Sequence, residues 1–443
     1  MSVPRAPKPT IGFVDQYCAY YQEVFPEVRS FEQFKYLHLG LLAELPRKTL
    51  PAIARIVGLE DEQPLHHFLA NSPWEVTQLR DRRLQLVKRV VGDRPLIVCI
   101  DETGDKKKGK TTEYVARQYI GNLGKVDNGM VSVNAYGVVD DITLPLLFQV
   151  FKPRSRLKAG DQYKTNPQIA SELIHTLKEL GFHFEVVLAD SLYGESPDFI
   201  EALGQLKLQF VVAIRENHGV WMPMEERIEY TAWQEFDRVF TNGETETRWI
   251  REVIYGQRHA LRYYQITTDI EEQPPESTWF LMTNLPGDIQ ADLGNVYGVR
   301  TWIEYGFKQS KNELGWADFR LTEYQDIEKW WEIVSSAYLM VSLQAQICTG
   351  GSPAQAHTEP SMSLEEPPSM QQADVQERFY QHKWWDPRRG WKMTLNNLRL
   401  IIQPYMSYCL MLPWLHVFTI PFFQDGFERL IASMNDFKGF APV

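Results

Sequence analysis

The sequence predicts an α/β protein built on a mixed sheet with flanking helices, a β-strand insertion, and helical segments at both ends. Two patterns support this fold class. Short β-branched runs interrupted by helical periodicity occupy residues 94–218, and an alternating, aromatic-rich pattern occupies residues 219–286. With 443 residues, 44% of them hydrophobic, the chain can bury a large core and divide into several domains.

From the sequence of residues 1–93 we predict a helical N-terminal domain that binds DNA. The segments LPAIARIV and PLHHFLAN lie on either side of Gly58, in the pattern of a helix-turn-helix. The second segment is not basic, and ordinary short helix pairs give the same pattern. The next helix, predicted from Ser72 to Val91, is the better candidate for contact with the DNA backbone, although its basic face is equally typical of a solvated surface. Its basic residues are Arg80, Arg82, Arg83, Lys88 and Arg89.

Residues 94–218 predict the first part of the core. Three strands are followed by a helix near 167–180, a fourth strand, another helix and a fifth strand. The strand-like runs are LIVCID (96–101), VSVNAYGVV (131–139), LPLLFQVF (144–151), FEVVLAD (184–190) and FVVAI (210–214). This order is typical of the ribonuclease H architecture, in which the ends of the first and fourth strands lie side by side. Asp101 and Asp190 end those two runs, so we expect their carboxylates to be neighbours.

The rest of the chain predicts four further segments. Residues 219–286 form an insertion of antiparallel strands that is too β-rich to extend the sheet. Residues 287–349 complete the core, 350–376 have the composition of a disordered linker, and 377–443 form a helical segment that serves packing, dimerisation or DNA contact. Four tryptophans lie in or beside the insertion, each a candidate for the core or for stacking on an unpaired base: Trp221, Trp233, Trp249 and Trp279.

Composition bears on location and partners. Four scattered cysteines without a CxxC pair indicate a reducing cytoplasm, and the N-terminus lacks the apolar stretch of a secretory signal. The longest apolar stretch, from Leu400 to Phe423, contains prolines that would break a membrane-spanning helix, so we expect a buried or dimer-contact segment. The net charge of −11 is unfavourable for binding DNA, so contacts with DNA phosphates would have to come from local basic clusters. Two such clusters follow strand-like runs, and either can also be a solvated loop. The first contains Lys106, Lys107, Lys108 and Lys110, and the second contains Lys152, Arg154, Arg156 and Lys158.

Four residues in YGVRTWIEYGFKQSK are spaced to share one helix face. At about 100° per residue, Tyr297, Arg300, Glu304 and Lys311 fall within an arc of about 60°. A carboxylate flanked by two cations and a phenol suits phosphate and metal, although a surface salt-bridge network gives the same pattern.

Three carboxylates from two strand ends and one helix are what two-metal phosphoryl transfer requires. Mg²⁺ prefers oxygen ligands; one ion activates the attacking water and the other stabilises the leaving 3′ oxygen. Asp101, Asp190 and Glu304 are therefore the predicted catalytic and metal-binding residues of an enzyme that cuts nucleic acid. Four rival carboxylates rank lower because their positions place them on outgoing loops: Glu102, Asp105, Glu195 and Asp198.

The motif Y-x2-R-x3-E-x6-K formed by Tyr297, Arg300, Glu304 and Lys311 resembles the signature of cut-and-paste insertion-sequence transposases of the DDE superfamily. The segments DETGDKKKGK, VARQYIGNLGKVDNG and LADSLYGESPDF also resemble a bacterial branch of that superfamily, and the resemblance spans roughly residues 10–345.

The resemblance implies a ribonuclease H-like core and two Mg²⁺ ions, with Mn²⁺ as a substitute, held by the three carboxylates. It implies cleavage at transposon ends and transfer of the 3′-OH into target DNA by a homodimer, associated with the nucleoid when bound to DNA. Tyr297, Arg300 and Lys311 would hold the phosphates of the transposon end, and Lys308 is a secondary DNA contact from its place on the helix. Two alternatives remain open: a transposase-derived DNA-binding protein, and a metal-dependent endonuclease without strand transfer.

Overall fold

The structure is a computed structural model that describes residues 5–109, 111–220, 222, 224–240, 243–348 and 376–442. The chain divides into two compact units. The helical unit comprises Met1–Arg89 and Lys308–Val443, and the sheet unit comprises Val90–Phe307.

The elements follow in chain order. The helices are α1 (Gly12–Ala19), α2 (Val28–Leu42), α3 (Leu50–Ile56), α4 (Gln63–Ala70), α5 (Val76–Val91), α6 (Asn166–Glu179), α7 (Ser191–Gly194), α8 (Pro197–Gln205), α9 (Gln290–Gly298), α10 (Thr301–Asn312), α11 (Tyr324–Cys348), α12 (Trp391–Val417) and α13 (Phe423–Met434). The strands are β1 (Leu96–Lys106), β2 (Ala116–Ile120), β3 (Lys125–Val139), β4 (Ile142–Val150), β5 (Phe184–Ala189), β6 (Phe210–Ile214), β7 (Ile228–Tyr230), β8 (Gln234–Val239), β9 (Thr245–Tyr255), β10 (Arg262–Thr267) and β11 (Trp279–Thr283).

The sheet unit contains one mixed sheet, as the sequence predicts. Its strand order is β2-β3-β1-β5-β6-β11-β10-β9-β7, with β4 added on β3 and β8 on β9. β1, β5 and β6 run parallel to one another, and β1 pairs antiparallel with β3. The mixed sheet with its flanking helices confirms the predicted ribonuclease H-like fold class.

The insertion strands extend this sheet, so the prediction that the insertion is too β-rich to do so is wrong. β11 pairs antiparallel with β6 from Phe280↔Ile214 to Thr283↔Val211. Asn284, just after β11, accepts a hydrogen bond from the Phe210 backbone N–H at 2.9 Å. Without β11, β6 would leave a row of unpaired backbone groups at a sheet edge, and the insertion satisfies them.

The helical unit uses the arginines of α5 in internal ion pairs. Arg83 is fully buried and donates to the buried carboxylate of Glu332, while Arg80 donates to Glu328 at 2.6 Å. Arg82 donates to Glu23 at 2.9 Å. A buried charge requires such a partner, and the interpretation of this helix as a DNA-backbone contact therefore fails for Arg80 and Arg83.

The C-terminal segment is helical, as predicted, and α12 continues through both Pro404 and Pro413. The expectation that these prolines would break a helix is wrong for α12, which contains both of them. Among the described residues, no helix is long and apolar enough to cross a membrane. The predicted linker, 350–376, lies outside the described residues apart from Gln376.

Candidate active site

Asp101 and Asp190 lie side by side on neighbouring parallel strands. The register of β1 and β5 ends at Ile100↔Ala189, so the two aspartates are the next residues on strands about 4.8 Å apart. The sequence suggested that Asp101 ends its strand. The strand instead continues to Lys106, paired with β3, so Asp101 lies within β1. What ends at Asp101 is the parallel pairing with β5.

The turn after β5 fixes the position of Asp190. Asp190 is the N-cap of α7, and its Oδ1 accepts a hydrogen bond from the Leu192 N–H at 2.9 Å. Gly194 ends this short helix against β6, where an added Cβ would lie 1.9 Å from the carbonyl oxygen of Ala213. Only glycine allows so close an approach, and the sequence DSLYG thus seats the Asp190 turn directly on the sheet.

The signature residues do not lie on one continuous helix, so the single-helix interpretation is wrong. α9 ends at Gly298 and α10 begins at Thr301, with Val299 and Arg300 forming the turn between them. Glycine has low helix propensity, and the Thr301 hydroxyl donates to the Gly298 carbonyl at 2.9 Å, which satisfies a carbonyl released at the break. Tyr297 therefore lies in the last turn of α9, while Glu304 lies in the first turn of α10 and Lys311 in the last.

Arg300 brings two of the predicted carboxylates together. Its Nη1 donates to Asp101 Oδ2 at 3.0 Å, and its Nη2 donates to Glu304 Oε1 at 2.8 Å. Burial raises the pKa of the Asp101 carboxyl well above its ordinary value; the Arg300 charge opposes this increase and the Asp190 charge adds to it. A second negative charge near a buried carboxylate destabilises the ionised form of both groups. A bound cation would offset this repulsion.

Glu102 is a fourth carboxylate at this position, which the sequence interpretation had assigned to a loop. Glu102 and Asp105 both lie within β1. The fully buried Tyr193 donates its hydroxyl to Glu102 Oε2 at 2.8 Å, and burial followed by the Asp190 charge raises the pKa of Glu102. The sequence pattern did not predict that β1 continues through DETGDK, because strands are recognised in a sequence mainly by their apolar residues and this segment is polar. The other rivals, Glu195 and Asp198, lie beside α7 and in α8.

The donor set suits a hard divalent cation, although its present arrangement is not that of a metal cluster. Within the residues that the structure describes, no group of three His, Cys, Asp or Glu side chains is already positioned to hold a metal ion. The guanidinium of Arg300 lies between Asp101 and Glu304. The Glu304 side chain is 46% exposed, and Asp101, Asp190 and Glu304 supply carboxylate oxygens, the ligands that a hard divalent cation prefers.

The predicted DNA-contact residues have diverse surroundings. Lys106 forms an ion pair with Asp127 at 2.7 Å. Arg154 lies over the ring of Tyr163 at 4.2 Å, and Arg156 donates to the Thr112 carbonyl at 3.0 Å. The remaining lysines lie at the end of β1 and on α10: Lys107, Lys108, Lys308 and Lys311.

A cavity of about 500 Å³ opens beside Arg300, between the turn after α9 and the insertion strands. Trp279 lines it, and its ring is 5.9 Å from that of Tyr297 and 4.5 Å from the Arg238 guanidinium. Sequence alone did not single out one tryptophan. Trp233 instead stacks with Arg251 at 4.3 Å, and Trp221 lies outside the described residues.

Comparisons with known proteins identify the family of the chain. The family profile described as DDE superfamily endonuclease matches residues 22–261, a range that includes Asp101 and Asp190 and ends before Glu304. A relative from Microchaete diplosiphon, described as a probable transposase for insertion sequence element IS701, is 57% identical over 329 residues, which cover 74% of this chain and 87% of the relative. The chain therefore belongs to the insertion-sequence transposases of the DDE superfamily.

Proposed function

We propose that the protein is an active transposase that cleaves DNA at the ends of its element and joins the freed 3′-OH to target DNA. One observation carries this proposal. Asp101 and Asp190 directly follow the paired ends of β1 and β5, and Arg300 donates hydrogen bonds to both Asp101 and Glu304, so Asp101 has Asp190 on the neighbouring strand and is linked to Glu304 through one arginine.

The proposed catalytic residues are Asp101, Asp190 and Glu304. Two Mg²⁺ ions held by these carboxylates would supply the activation of the attacking hydroxyl and the stabilisation of the leaving oxygen. Arg300 presents a planar, bidentate donor beside the same carboxylates, which is the geometry that holds a phosphate. Tyr297 is almost fully buried next to Arg300, and burial raises the pKa of its phenol to about 12, so it remains a hydrogen-bond donor at neutral pH.

The remaining signature residue and the basic clusters are proposed to bind the DNA backbone. Lys311 would hold the transposon end and Lys308 would assist it, while the cationic residues after Asp101 and after β4 would contact flanking phosphates. The latter are Lys106, Lys107, Lys108, Arg154 and Arg156. Each lost phosphate contact lowers the slope of log affinity against log salt by about 0.9, so alanine variants titrated with NaCl test each residue.

Trp279 is the candidate for stacking on an unpaired base, because it lines the cavity next to Arg300. Such stacking contributes about 1–3 kcal/mol per base. Replacing Trp279 with alanine should weaken binding to a DNA end with an unpaired terminal base about tenfold or more. Binding to a fully paired duplex should change little, and an equal loss on both substrates would contradict this role.

The domain roles follow from the same reasoning. We propose that residues 1–93 bind the terminal repeats, that 94–218 and 287–349 form the catalytic core, and that 219–286 insert between the second and third carboxylates. We further propose a linker at 350–376, a homodimer on paired DNA ends, and action on the nucleoid in the cytoplasm. Separate binding and cleavage assays on a truncation lacking residues 1–93 test the first assignment: end binding should be lost.

The decisive experiment uses DNA that carries the two ends of the element, with Mg²⁺ present or removed by EDTA. Asp101→Asn, Asp190→Asn and Glu304→Gln should each lower cleavage at least a thousandfold while leaving end binding within about threefold. Asp198→Asn is the matched control, because Asp198 is an exposed carboxylate in the next helix.

The products separate the possible activities. Joined DNA supports the proposal, nicks without joining indicate an endonuclease, and a mobility shift without breakage indicates a DNA-binding protein. Cleavage that survives in any one of the three carboxylate variants would remove that residue from the site.

A further inference from the structure

Two buried arginines of the insertion lie against the ring of Trp279. Arg238 belongs to β8 and Arg248 to β9, and the two residues are only 8% and 5% exposed. Their guanidinium carbons lie 4.5 Å and 4.3 Å from the centre of the Trp279 ring. In the register of β8 and β9, Arg238 is opposite Glu246 and Arg248 is opposite Phe236. The two arginines are therefore diagonal neighbours on one face of the sheet, and two positive charges are buried side by side.

The described residues leave part of this charge without an acceptor. Glu246 accepts a hydrogen bond from Arg248 Nε at 2.6 Å, but Arg248 Nη1 is buried and has no partner. The Arg238 guanidinium contacts the rings of Trp279 and Phe240, and among the described residues its side chain forms no ion pair and donates no hydrogen bond. Burial and the Arg248 charge lower the pKa of Arg238. Because a buried charge without a partner is costly, a negatively charged ligand would stabilise this pair.

Arg238 lines the cavity of about 500 Å³ beside Arg300, a volume typical of ligand pockets. Arg300 itself is engaged by two carboxylates, whereas the donors of Arg238 remain available to a ligand. The planar guanidinium group matches two oxygens of one phosphate. The other charged side chains lining the cavity are exposed and opposite in sign: Arg215 and Glu216.

We propose that Arg238, supported by the adjacent charge of Arg248, binds one backbone phosphate of the DNA end in this cavity, in addition to the phosphate held by Arg300. The inference rests on the proposed function, which supplies DNA as the substrate. The alternative role for Arg238 is packing against the end of α9, where an added Cβ at Gly298 would lie 3.8 Å from Arg238 Nε. The two roles predict different stabilities, because removing an unpaired buried charge does not destabilise a fold and removing a packing contact does.

The first test measures binding of a fully paired DNA end by fluorescence anisotropy in EDTA, so that cleavage is not required. Arg238→Met keeps a long side chain and removes the charge, and it should raise the Kd at least about tenfold. The slope of log affinity against log salt should fall by about 0.9, the share of one phosphate. The urea midpoint of Arg238→Met should equal or exceed that of wild type.

Arg258→Met is the matched control. Arg258 also belongs to the insertion, but its side chain is 62% exposed and pairs with Glu252. The control removes the same charge outside the cavity, and its affinity for the DNA end should stay within about threefold of wild type.

The second test replaces single phosphates of the DNA end with uncharged methylphosphonates. At one linkage, wild type should lose affinity while Arg238→Met loses none further, because both changes remove the same interaction. Arg238→Met that binds as wild type does would overturn the inference. So would a lower urea midpoint combined with additive losses at every linkage, which would assign Arg238 to packing. Wild type that shows the predicted binding pattern but cuts no DNA in Mg²⁺ would contradict the proposed function alone.

Discussion

Gly194 offers the sharpest test of how the fold positions Asp190, one of the proposed catalytic carboxylates. A Cβ at this position would lie 1.9 Å from the Ala213 carbonyl oxygen, whereas real Cβ contacts are essentially never shorter than 3.0 Å. The Gly194→Ala variant must therefore separate α7 from β6 by about 1 Å. Ala213 is held between β5 and β11 by the sheet, so the adjustment falls on α7, whose N-cap is Asp190.

A displacement of about 1 Å at a reacting group costs on the order of 100-fold in rate. We expect Gly194→Ala to lower single-turnover cleavage of a labelled DNA end by about that factor, with end binding unchanged. Gly204→Ala is the matched control, because Gly204 lies in α8 with nothing within 4 Å of an added Cβ; it should cleave normally and be as stable as wild type or more so. A folded Gly194→Ala protein that cleaves within threefold of wild type would refute the inference that this contact sets the position of Asp190.

Three further predictions concern neighbouring features. Tyr193→Phe removes the donor to the Glu102 carboxylate and should lower the free energy of unfolding in urea by about 1–3 kcal/mol; Glu102→Gln keeps an acceptor for the hydroxyl, and an equal loss in that variant would argue against the hydrogen bond as the cause. Gly306→Ala would bring a Cβ to 2.8 Å from the edge of the Tyr136 ring; cleavage should fall severalfold, less than in Gly194→Ala because a ring edge can shift more easily than a sheet carbonyl, and a larger fall would contradict that ranking. Burial lowers the pKa of His38 to about 4, below the ordinary 6.5 expected in the unfolded chain, so the unfolded state takes up the proton first as the pH falls. The free energy of unfolding should therefore decline by about 3 kcal/mol from pH 6.5 to pH 4. Urea unfolding of His38→Gln at both pH values tests this, because the variant should lack the part of the decline that comes from His38.

The parts of the site that depend on local pattern were predictable from sequence. The apolar runs before Asp101 and Asp190 predict strands, and the order of the elements is typical of the ribonuclease H architecture, in which these two strands are neighbours. The same reasoning identified the helix that carries Glu304, because its charged residues recur with helical spacing.

The parts that depend on distant partners were not predictable. Nothing in the spacing of Arg80 and Arg83 shows that both pair with Glu332, about 250 residues away. The pairing of β11 with β6 is likewise a long-range event that satisfies an open sheet edge. The alternation of apolar and polar residues within the insertion predicts strands. It does not indicate which strand of the core sheet they pair with.

Asp101, Asp190 and Glu304 differ in how firmly the fold fixes their positions. Asp101 is held within the β1–β3 ladder and Asp190 by the cap of α7, so the protein fixes both before any ligand binds. Glu304 is half exposed, and its described hydrogen bond is to Arg300, a residue of the turn itself. A cation or phosphate that competes for Arg300 therefore changes the partner of Glu304 without disturbing the sheet. We therefore expect Glu304, the proposed third metal ligand, to be the carboxylate whose position changes when substrate binds, because its described partner, Arg300, lies in the two-residue turn after Gly298.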